Sequence, residues 1–487
     1  MPLLARPLAA ALLAAPFALA FFSGGFFDVP RLVAAVATMV AAGLCLIVCP
    51  RPLPHSAGGL LVLGGLAALT GLTIASVGWA PIDEAASDDA QRLLLYLAAA
   101  VVAVAVLRDR RAASWVGPAV VAGVAVVCLY ALGGRLLPGL IEQSTSLRAG
   151  GRLEQPLTYW NAMGLLAAIG LIFGARLLGD VRRSPATAVL AAASSPVLGA
   201  ALYLTFSRGG LVALAVGMGL LIALVRERGQ AIAAAAVVAG GAGGAVACAV
   251  LPAVADPVDA AADTIRTQGV IATGLLALVV LGAAVAGWLL ARRPAEPRTR
   301  PLPGSTRAWR LGTAAVVVAG VVGAGLAAQS AETGKRAVDP AFGAQNQRLA
   351  SVESLRYSYW EVALSAFAEH PVAGVGSGGF RAEWLRERPE PEPAADAHSL
   401  YLETLAELGL LGAAALAAVI AGIVLAGRTA LRVDPGLAAG PLAVLAAWGT
   451  HAALDWDWEM PTLGLLALIC AGLVVATAER QPGTPDT

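Results

Sequence analysis

Three side chains of this chain could act together on an anionic substrate. Arg208 lies in the segment TFSRGG between two apolar stretches, Arg356 precedes an aromatic run, and His398 follows a proline-rich segment. Arginine forms planar, bidentate hydrogen bonds with phosphate, and a neutral imidazole can accept a proton. Each residue also has an explanation without catalysis. Arg208 could reach to lipid headgroups, Arg356 could lie on a solvated helix face and His398 could lie on a surface loop.

A second group consists of the acids in DWDWEM (455–460). Aromatic residues beside an apolar stretch are typical of a membrane interface, and three acids there indicate a polar cavity as the alternative. We predict no metal, while a cation site at Asp455 and Asp457 stays open as the competing hypothesis. The five cysteines all lie in or beside apolar segments without metal-ligand spacing, so no disulfide framework or zinc site is expected.

The elements that hold these residues must be membrane helices. Of the 487 residues 58% are hydrophobic and only 13% are charged, and the mean hydropathy is +0.76. Soluble globular chains have about 25% charged residues, so the apolar side chains must face lipid as well as each other. A net charge of +1 gives no indication of a nucleic-acid partner.

The sequence predicts an all-α fold, a polytopic transmembrane helix bundle of about 12–14 spans. Spans need roughly 20 apolar residues, and such stretches occur near 7–24, 31–50, 57–78, 92–107, 115–134, 158–175, 186–205, 209–225, 230–251, 269–290, 311–328, 401–427, 437–454 and 461–478. Arginines concentrate in alternate connections. By the positive-inside rule both termini are then cytoplasmic, and the acidic connection 79–91 and the long hydrophilic loop 329–399 lie outside the cytoplasmic membrane.

The long loop is predicted to be partly helical. Apolar residues recur at helical spacing from Ser351 to Glu369, and His370-Pro371 should end that helix. The glycines of GVGSGGF (374–380) indicate a bend between helices more than a phosphate-binding loop, and a short helix should follow at 381–388. Asp396 is then expected to cap the next helix. His398 would fall in its first turn, where the helix dipole lowers the pKa of an imidazole.

Four segments, in this order, resemble the O-antigen ligase and O-antigen polymerase superfamily of bacterial membrane glycosyltransferases. They are GRLEQPLTYWNAMG (151–164), LTFSRGGLVAL (204–214), RYSYWEVALSAFAEHPVAGVGSGGF (356–380) and AHSLYLETLAELGLLG (397–412). The resemblance covers about residues 150–425. Members usually have about a dozen spans, and Ser399 stands where the superfamily often has an asparagine after the histidine.

The resemblance implies a glycosyltransferase that needs neither a metal nor another cofactor. The donor is a glycan on a polyprenyl diphosphate such as undecaprenyl diphosphate, and the acceptor is a glycan or lipid-linked sugar. By motif, Arg208 and Arg356 would bind the diphosphate and His398 would be the catalytic base. Weaker matches imply substrate contacts for five further residues, which are Arg152, Trp160, Asn161, Tyr359 and Trp360.

We divide the chain into N-terminal helices (1–150), central helices with the Ser-Arg-Gly segment (151–328), the large extracytoplasmic loop (329–399) and C-terminal helices (400–487). The predicted function is ligation or polymerisation of polyprenyl-diphosphate-linked glycans, a step of cell-envelope polysaccharide biosynthesis. Two alternatives stay open. A transporter or flippase of the same lipid-linked glycan would carry ionisable groups near the membrane midplane, and a scaffold would use the loop only to bind a partner.

Overall fold

The computed structural model describes residues 5–293, 356–389 and 391–480. Within these ranges the regular structure is helical. Sixteen α-helices follow in chain order: α1 Ala5–Ala20, α2 Asp28–Val48, α3 Ala57–Ser76, α4 Asp83–Val106, α5 Arg110–Leu136, α6 Trp160–Gly179, α7 Pro185–Leu204, α8 Arg208–Val225, α9 Arg228–Ala249, α10 Pro252–Ala255, α11 Ala262–Ala291, α12 Arg356–Glu369, α13 Phe380–Glu387, α14 Leu400–Val433, α15 Pro435–His451 and α16 Pro461–Ala478.

The predicted all-α membrane bundle is confirmed. Eleven helices of the described chain are long and apolar enough to cross a membrane. Helices α1 and α15 coincide with two further predicted spans but have only 16 and 17 residues. The span predicted at 311–328, and the loop from 329 to 355, lie outside the described residues. The protein is therefore a multi-pass membrane protein.

The acidic segment 79–91 is not a connection, as the sequence had suggested, because α4 already begins at Asp83. Asp83 and Glu84 occupy the first turn, where the positive end of the helix dipole stabilises acids. Counting apolar residues placed the start of this span several residues too late. The later acids of the segment, Asp88 and Asp89, therefore have fixed positions on a helix.

The described chain divides into two compact units. The first unit comprises the described parts of Met1–Ser114, Ser354–Leu442 and Ala452–Thr487. Helices α3 and α14 pack closely in it because glycines meet small residues. A Cβ on Gly58 would lie 2.7 Å from the backbone nitrogen of Ala426, and one on Gly65 would lie 2.8 Å from the carbonyl oxygen of Ala415. Small residues allow such backbone approach in membrane proteins.

The second unit comprises the described parts of Trp115–Glu353 together with Ala443–His451. Helix α6 is its centre and packs against α7, α8 and α9. Apart from its first two residues α6 is buried along its whole length, so protein rather than lipid surrounds it. Gly210 at the start of α8 approaches the backbone of Gly164 on α6, which brings the N-terminal ends of these helices together.

The described part of the long loop forms two helices and a glycine bend, as predicted. Helix α12 ends at Glu369, immediately before His370-Pro371, and α13 spans Phe380–Glu387. Gly374, Gly376 and Gly378 all have positive φ, a conformation that glycine adopts without steric cost. The backbone nitrogen of Gly376 donates to the carbonyl oxygen of Glu407 at 2.8 Å, so the bend is fixed against α14.

Candidate functional site

His398 lies before α14 and not in its first turn, which corrects the prediction. Ser399 is the N-cap residue and its hydroxyl accepts from the backbone nitrogen of Leu402, so the predicted cap, Asp396, lies three residues too early. His398 has φ +52°. A left-handed conformation is uncommon for a residue other than glycine, and such residues cluster at functional sites. The turn directs the chain from the loop into the helix.

One hydrogen bond fixes the tautomer of His398. Its Nδ1 lies 3.1 Å from the carbonyl oxygen of Asp396. A carbonyl oxygen only accepts hydrogen bonds, so Nδ1 carries the proton and donates it. In the neutral ring Nε2 is then the basic nitrogen. The ring also lies against Tyr359, with centroids 5.1 Å apart, which fixes its plane.

The pKa of His398 is lowered from its ordinary value of 6.5. Burial is the main cause, because it disfavours the charged imidazolium, and the positive charge of Arg356 lowers the pKa further. The carboxylate of Asp455 acts in the opposite direction. The predicted direction was thus correct, but the residue precedes the helix and the cause is desolvation and not the helix dipole. His398 is neutral, and able to accept a proton, at physiological pH.

Arg356 is held by a residue from the far end of the chain. Its Nη2 donates to Oδ2 of Asp455 at 2.7 Å. The side chain of Asp455 is 2% exposed and that of Arg356 is 26% exposed, so the pair is largely shielded from water. DWDWEM therefore contributes a buried counter-ion rather than only an aromatic anchor. Since both charges act on His398, the three residues form one electrostatic group.

The aromatic residues of α12 have different environments. Tyr359 is buried, and its ring also packs edge-on against Trp384 at 4.7 Å between centroids. It therefore packs against the imidazole as part of the hydrophobic cluster that joins α12, α13 and the start of α14. Trp360 is half-buried and contacts the ring of Tyr357. Tyr359 is therefore the aromatic residue of α12 whose ring packs against His398.

An acidic cluster adjoins this group. Asp396, Glu403 and Glu459 have carboxylate oxygens within 4.8 Å of one another, a spacing that could hold a metal ion. Burial raises the pKa of Asp396 to about 6 and that of Glu459 to about 8. Arg92 opposes this effect on both acids, and its Nη2 lies 3.4 Å from Glu459 and 2.8 Å from Asp89.

The sequence pattern did not single out Arg92 and Asp89. Both belong to α4, which the hydropathy pattern began at residue 92, so neither was considered as part of a site. The signal that could have found them is an acid and an arginine three residues apart at the start of an apolar span. Placing an ionisable side chain in a membrane span costs free energy, so the ionisable residues that occur there commonly have a function.

Arg208 belongs to the second unit. It is the first residue of α8, directly after the N-cap Ser207, whose hydroxyl accepts from Gly210 at 3.1 Å. The next residue, Gly209, lies against the imidazole of His451, since a Cβ there would be 2.8 Å from Nε2. His451 is fully buried at the end of α15. The sequence pattern had not marked it as a neighbour of the Ser-Arg-Gly segment.

Arg152, Trp160 and Asn161 also lie in the second unit. The guanidinium of Arg152 stacks on the ring of Trp160, 3.5 Å from its centroid. Its Nε donates to the carbonyl oxygen of Ala149 at 2.7 Å, and the residue is buried. Asn161 donates to the hydroxyl of Tyr159 at 2.8 Å. These contacts order the segment that leads into α6.

The site residues thus fall into two sets. His398, Arg356, Tyr359 and Trp360 belong to the first unit, and the remaining predicted residues belong to the second. Within the first unit the structure brings His398, Arg356 and Tyr359 together and adds Asp455 to them.

Comparison with known proteins identifies one family. Residues 269–417 match the family model described as O-antigen ligase. The matched range contains Arg356 and His398 and ends within α14. No curated protein matches the chain.

Proposed function

We propose, from the match of residues 269–417 to the O-antigen ligase family, that the chain belongs to the O-antigen ligase and O-antigen polymerase superfamily and transfers a glycan from a polyprenyl-diphosphate carrier to a sugar hydroxyl at the outer face of the cytoplasmic membrane. The family match supports a glycosyl-transferring membrane enzyme. The proposal of glycan transfer from a polyprenyl diphosphate rests on the arrangement around His398. Its tautomer leaves Nε2 as the basic nitrogen, and the charge of Arg356 acts on its imidazole.

The proposed reaction is a single displacement. The acceptor hydroxyl attacks the anomeric carbon of the donor, its proton passes to Nε2 of His398, and the bond between the anomeric carbon and the phosphate oxygen breaks. Polyprenyl diphosphate leaves with the electron pair of that bond. Because attack and departure occur on opposite faces, the anomeric configuration inverts.

Arginine supplies the charge that this leaving group needs. Negative charge develops on the diphosphate as the bond breaks, and preorganised N–H donors stabilise it. A guanidinium has five N–H donors, so the carboxylate of Asp455 does not exhaust Arg356; it fixes the plane in which the guanidinium is presented. We propose Arg208, by its motif, as the second donor of positive charge, and a mechanism that needs no metal.

Arg152, Trp160 and Asn161 are proposed to act more indirectly. Their contacts support the N-terminal end of α6, where Gly164 packs against Ser207, the residue before Arg208. Substrate contact by Trp160 and Trp360, which are both half-buried, remains part of the proposal. Ligation and polymerisation differ in the acceptor, and the same donor chemistry serves both.

The proposed topology follows from charge. Arginine-rich connections face the cytoplasm, so both termini lie there and His398 faces outward. The donor then remains in the membrane by its polyprenyl chain while its glycan reaches the loop helices.

The test uses the full-length protein in nanodiscs with a fluorescent polyprenyl-diphosphate-linked glycan. Product formation should require His398 and Arg356, and the exposed Glu369, half of whose side chain is accessible, serves as the control position. Wild-type product formation by both His398→Ala and Arg356→Ala would refute the proposal. In sealed vesicles, movement of the donor across the membrane without a new glycosidic bond would favour the flippase instead.

A further inference from the structure

A polar cleft lies beside His398 in the first unit. Four acids and one arginine are the charged side chains that line it in the described chain: Asp89, Glu403, Glu407, Glu459 and Arg92. Glu403 connects it to the proposed base, because its Oε2 accepts from the backbone nitrogen of Ala397 at 2.8 Å. The mechanism above uses none of these five residues.

The glycine bend and α4 give the cleft a fixed shape. Ser377, in the middle of GVGSGGF, donates from Oγ to Oδ2 of Asp89 at 2.7 Å, and its backbone nitrogen donates to Oγ of Ser76 at 3.1 Å. Glu407 accepts from the backbone nitrogen of Phe380 at 3.1 Å. Asp89 and Glu407 are thus positioned by a side-chain donor and a backbone donor of the glycine bend.

Two buried donors in the cleft have no partner among the described residues. The hydroxyl of Thr73, a residue 1% exposed, is one, and Nε of Arg92, a residue 7% exposed, is the other. Threonines in helices commonly donate to the carbonyl oxygen four residues earlier, as Thr70 and Thr404 do here at 2.7 and 2.6 Å. Thr73 does not. Unsatisfied buried donors are costly, so these two indicate a ligand.

The mixture of donors and acceptors distinguishes between ligands. A bare cation would suit the carboxylates, but the guanidinium of Arg92 would repel it and Nε would stay unsatisfied. An anion would meet four acids. A hydroxyl group donates to a carboxylate and accepts from an N–H or O–H at the same time. The space between the side chains holds roughly two water-sized groups, which is the size of two hydroxyls and not of a whole ring.

We propose that this cleft binds two neighbouring hydroxyl groups of the acceptor sugar and excludes sugars that carry an anionic group at that edge. The inference rests on the proposed function, because it assigns the cleft to the acceptor of that reaction. Glu403, Glu407 and Glu459 accept from the hydroxyls, and Thr73 and Arg92 donate to them. Arg92 already pairs with Asp89 at 2.8 Å, so an anionic sugar would be buried without a counter-ion, and this cost sets the specificity.

Matched neutral and acidic sugars test the cleft. The probes are methyl glucoside, galactoside and mannoside, each paired with its uronide, which replaces one hydroxymethyl group by a carboxylate. Their binding to the full-length protein in nanodiscs is measured by saturation-transfer NMR. At least one neutral sugar should bind about tenfold or more tightly than its uronide, since a carboxylate buried without a counter-ion is strongly unfavourable.

Two isosteric variants, one single and one double, test which side chains bind the neutral sugar and which exclude the uronide. Thr73→Val should weaken neutral-sugar binding about fivefold, the usual effect of one hydrogen bond, and leave the exclusion of the uronide intact. Glu403→Gln with Glu459→Gln gives the cleft amide N–H donors that can pair with a carboxylate, so it should narrow the difference in affinity between neutral sugar and uronide. Glu369→Gln makes the same substitution at an exposed site on α12 and should change neither affinity.

Equal affinity for each neutral sugar and its uronide would overturn the proposal, as would unchanged binding in both cleft variants. Saturable Mn²⁺ binding that the double Gln variant abolishes and that displaces the sugars would also overturn it, in favour of a metal site. Glycan transfer by a protein that binds neutral sugars and uronides equally contradicts only the proposal for the cleft. Tighter binding of neutral sugars without any glycan transfer contradicts the proposed function and leaves a sugar-binding cleft.

Discussion

Asp455→Asn tests whether the buried counter-ion orients Arg356. The change keeps the size of the side chain and removes its charge, so the 2.7 Å hydrogen bond from Arg356 loses its charge assistance. Hydrogen bonds to charged groups contribute about 1.5–3 kcal/mol, and the 2% exposure of Asp455 leaves little solvent screening. If that energy orients Arg356 toward the leaving group, kcat/KM should fall by about 10- to 100-fold.

The pH profile provides a second, independent result. The negative charge of Asp455 raises the pKa of His398, and the positive charge of Arg356 lowers it. Asp455→Asn should therefore move the acid limb of the kcat/KM profile to lower pH, whereas Arg356→Gln should move it to higher pH. A base must be deprotonated to act, so activity is lost as the pH falls through the pKa of His398 in the folded protein.

The assay measures transfer from the fluorescent donor by the full-length protein in nanodiscs, between pH 4.5 and 8, for the wild type, both single variants and the double variant. If Asp455 acts through Arg356, Asp455→Asn should cost little once Arg356 is Gln, with a coupling energy of about 1–3 kcal/mol. Additive losses, or acid limbs that move in the same direction, would refute this account.

Three further predictions concern the base, Gly409, where the backbone inside α14 departs from helical geometry, and the acidic cluster. His398→Ala should lower kcat by at least about 100-fold while donor binding, measured by fluorescence anisotropy, stays within about twofold; loss of binding instead would contradict its role as the base. Gly409→Ala should lower Tm markedly, because Gly409 has φ +60° and a Cβ would overlap the carbonyl oxygen of Val372; Gly64→Ala, which meets no atom within 4 Å, is the control and should raise Tm slightly. Burial raises the pKa of Glu459 from 4.5 to about 8, so its contribution to stability is complete below pH 4.5 and is lost progressively as the pH rises through 8; Glu459→Gln should flatten the decline in Tm between about pH 5 and 8, and an unchanged decline would count against the buried neutral acid.

Membrane class and the helical elements of the loop could be predicted because local properties determine them. Apolar stretches of span length must be helical in lipid, where each backbone group needs a partner within the segment. The end of α12 and the start of α13 followed in the same way from Pro371 and the glycines 374–379. The start of α4 was wrong because hydropathy excludes acids from a span, while the first turn of a helix favours them.

The site could be predicted only in part. Arg356 and His398 were proposed from residue type and motif and stay predictions as site residues, but their partners Asp455 and Asp396 act through contacts that sequence position does not reveal. Asp455 lies 99 residues from Arg356. The cap was assigned to Asp396 on residue preference alone, whereas the turn at His398 leaves Ser399 as the residue whose side chain reaches the first free N–H groups.

The sequence by itself determined that this protein is a multi-pass helical membrane protein, that its residues 269–417 match the O-antigen ligase family, and that an arginine and a histidine lie on one loop. Those properties depend on composition and on short, contiguous patterns. Only the tertiary structure decided which nitrogen of His398 is basic, which carboxylate holds Arg356, and that acids of α4, α14 and the 455–460 segment meet in one cleft. Such properties depend on distances between residues far apart in the chain, and the free energy of a buried charge depends on those distances and on the water excluded around them.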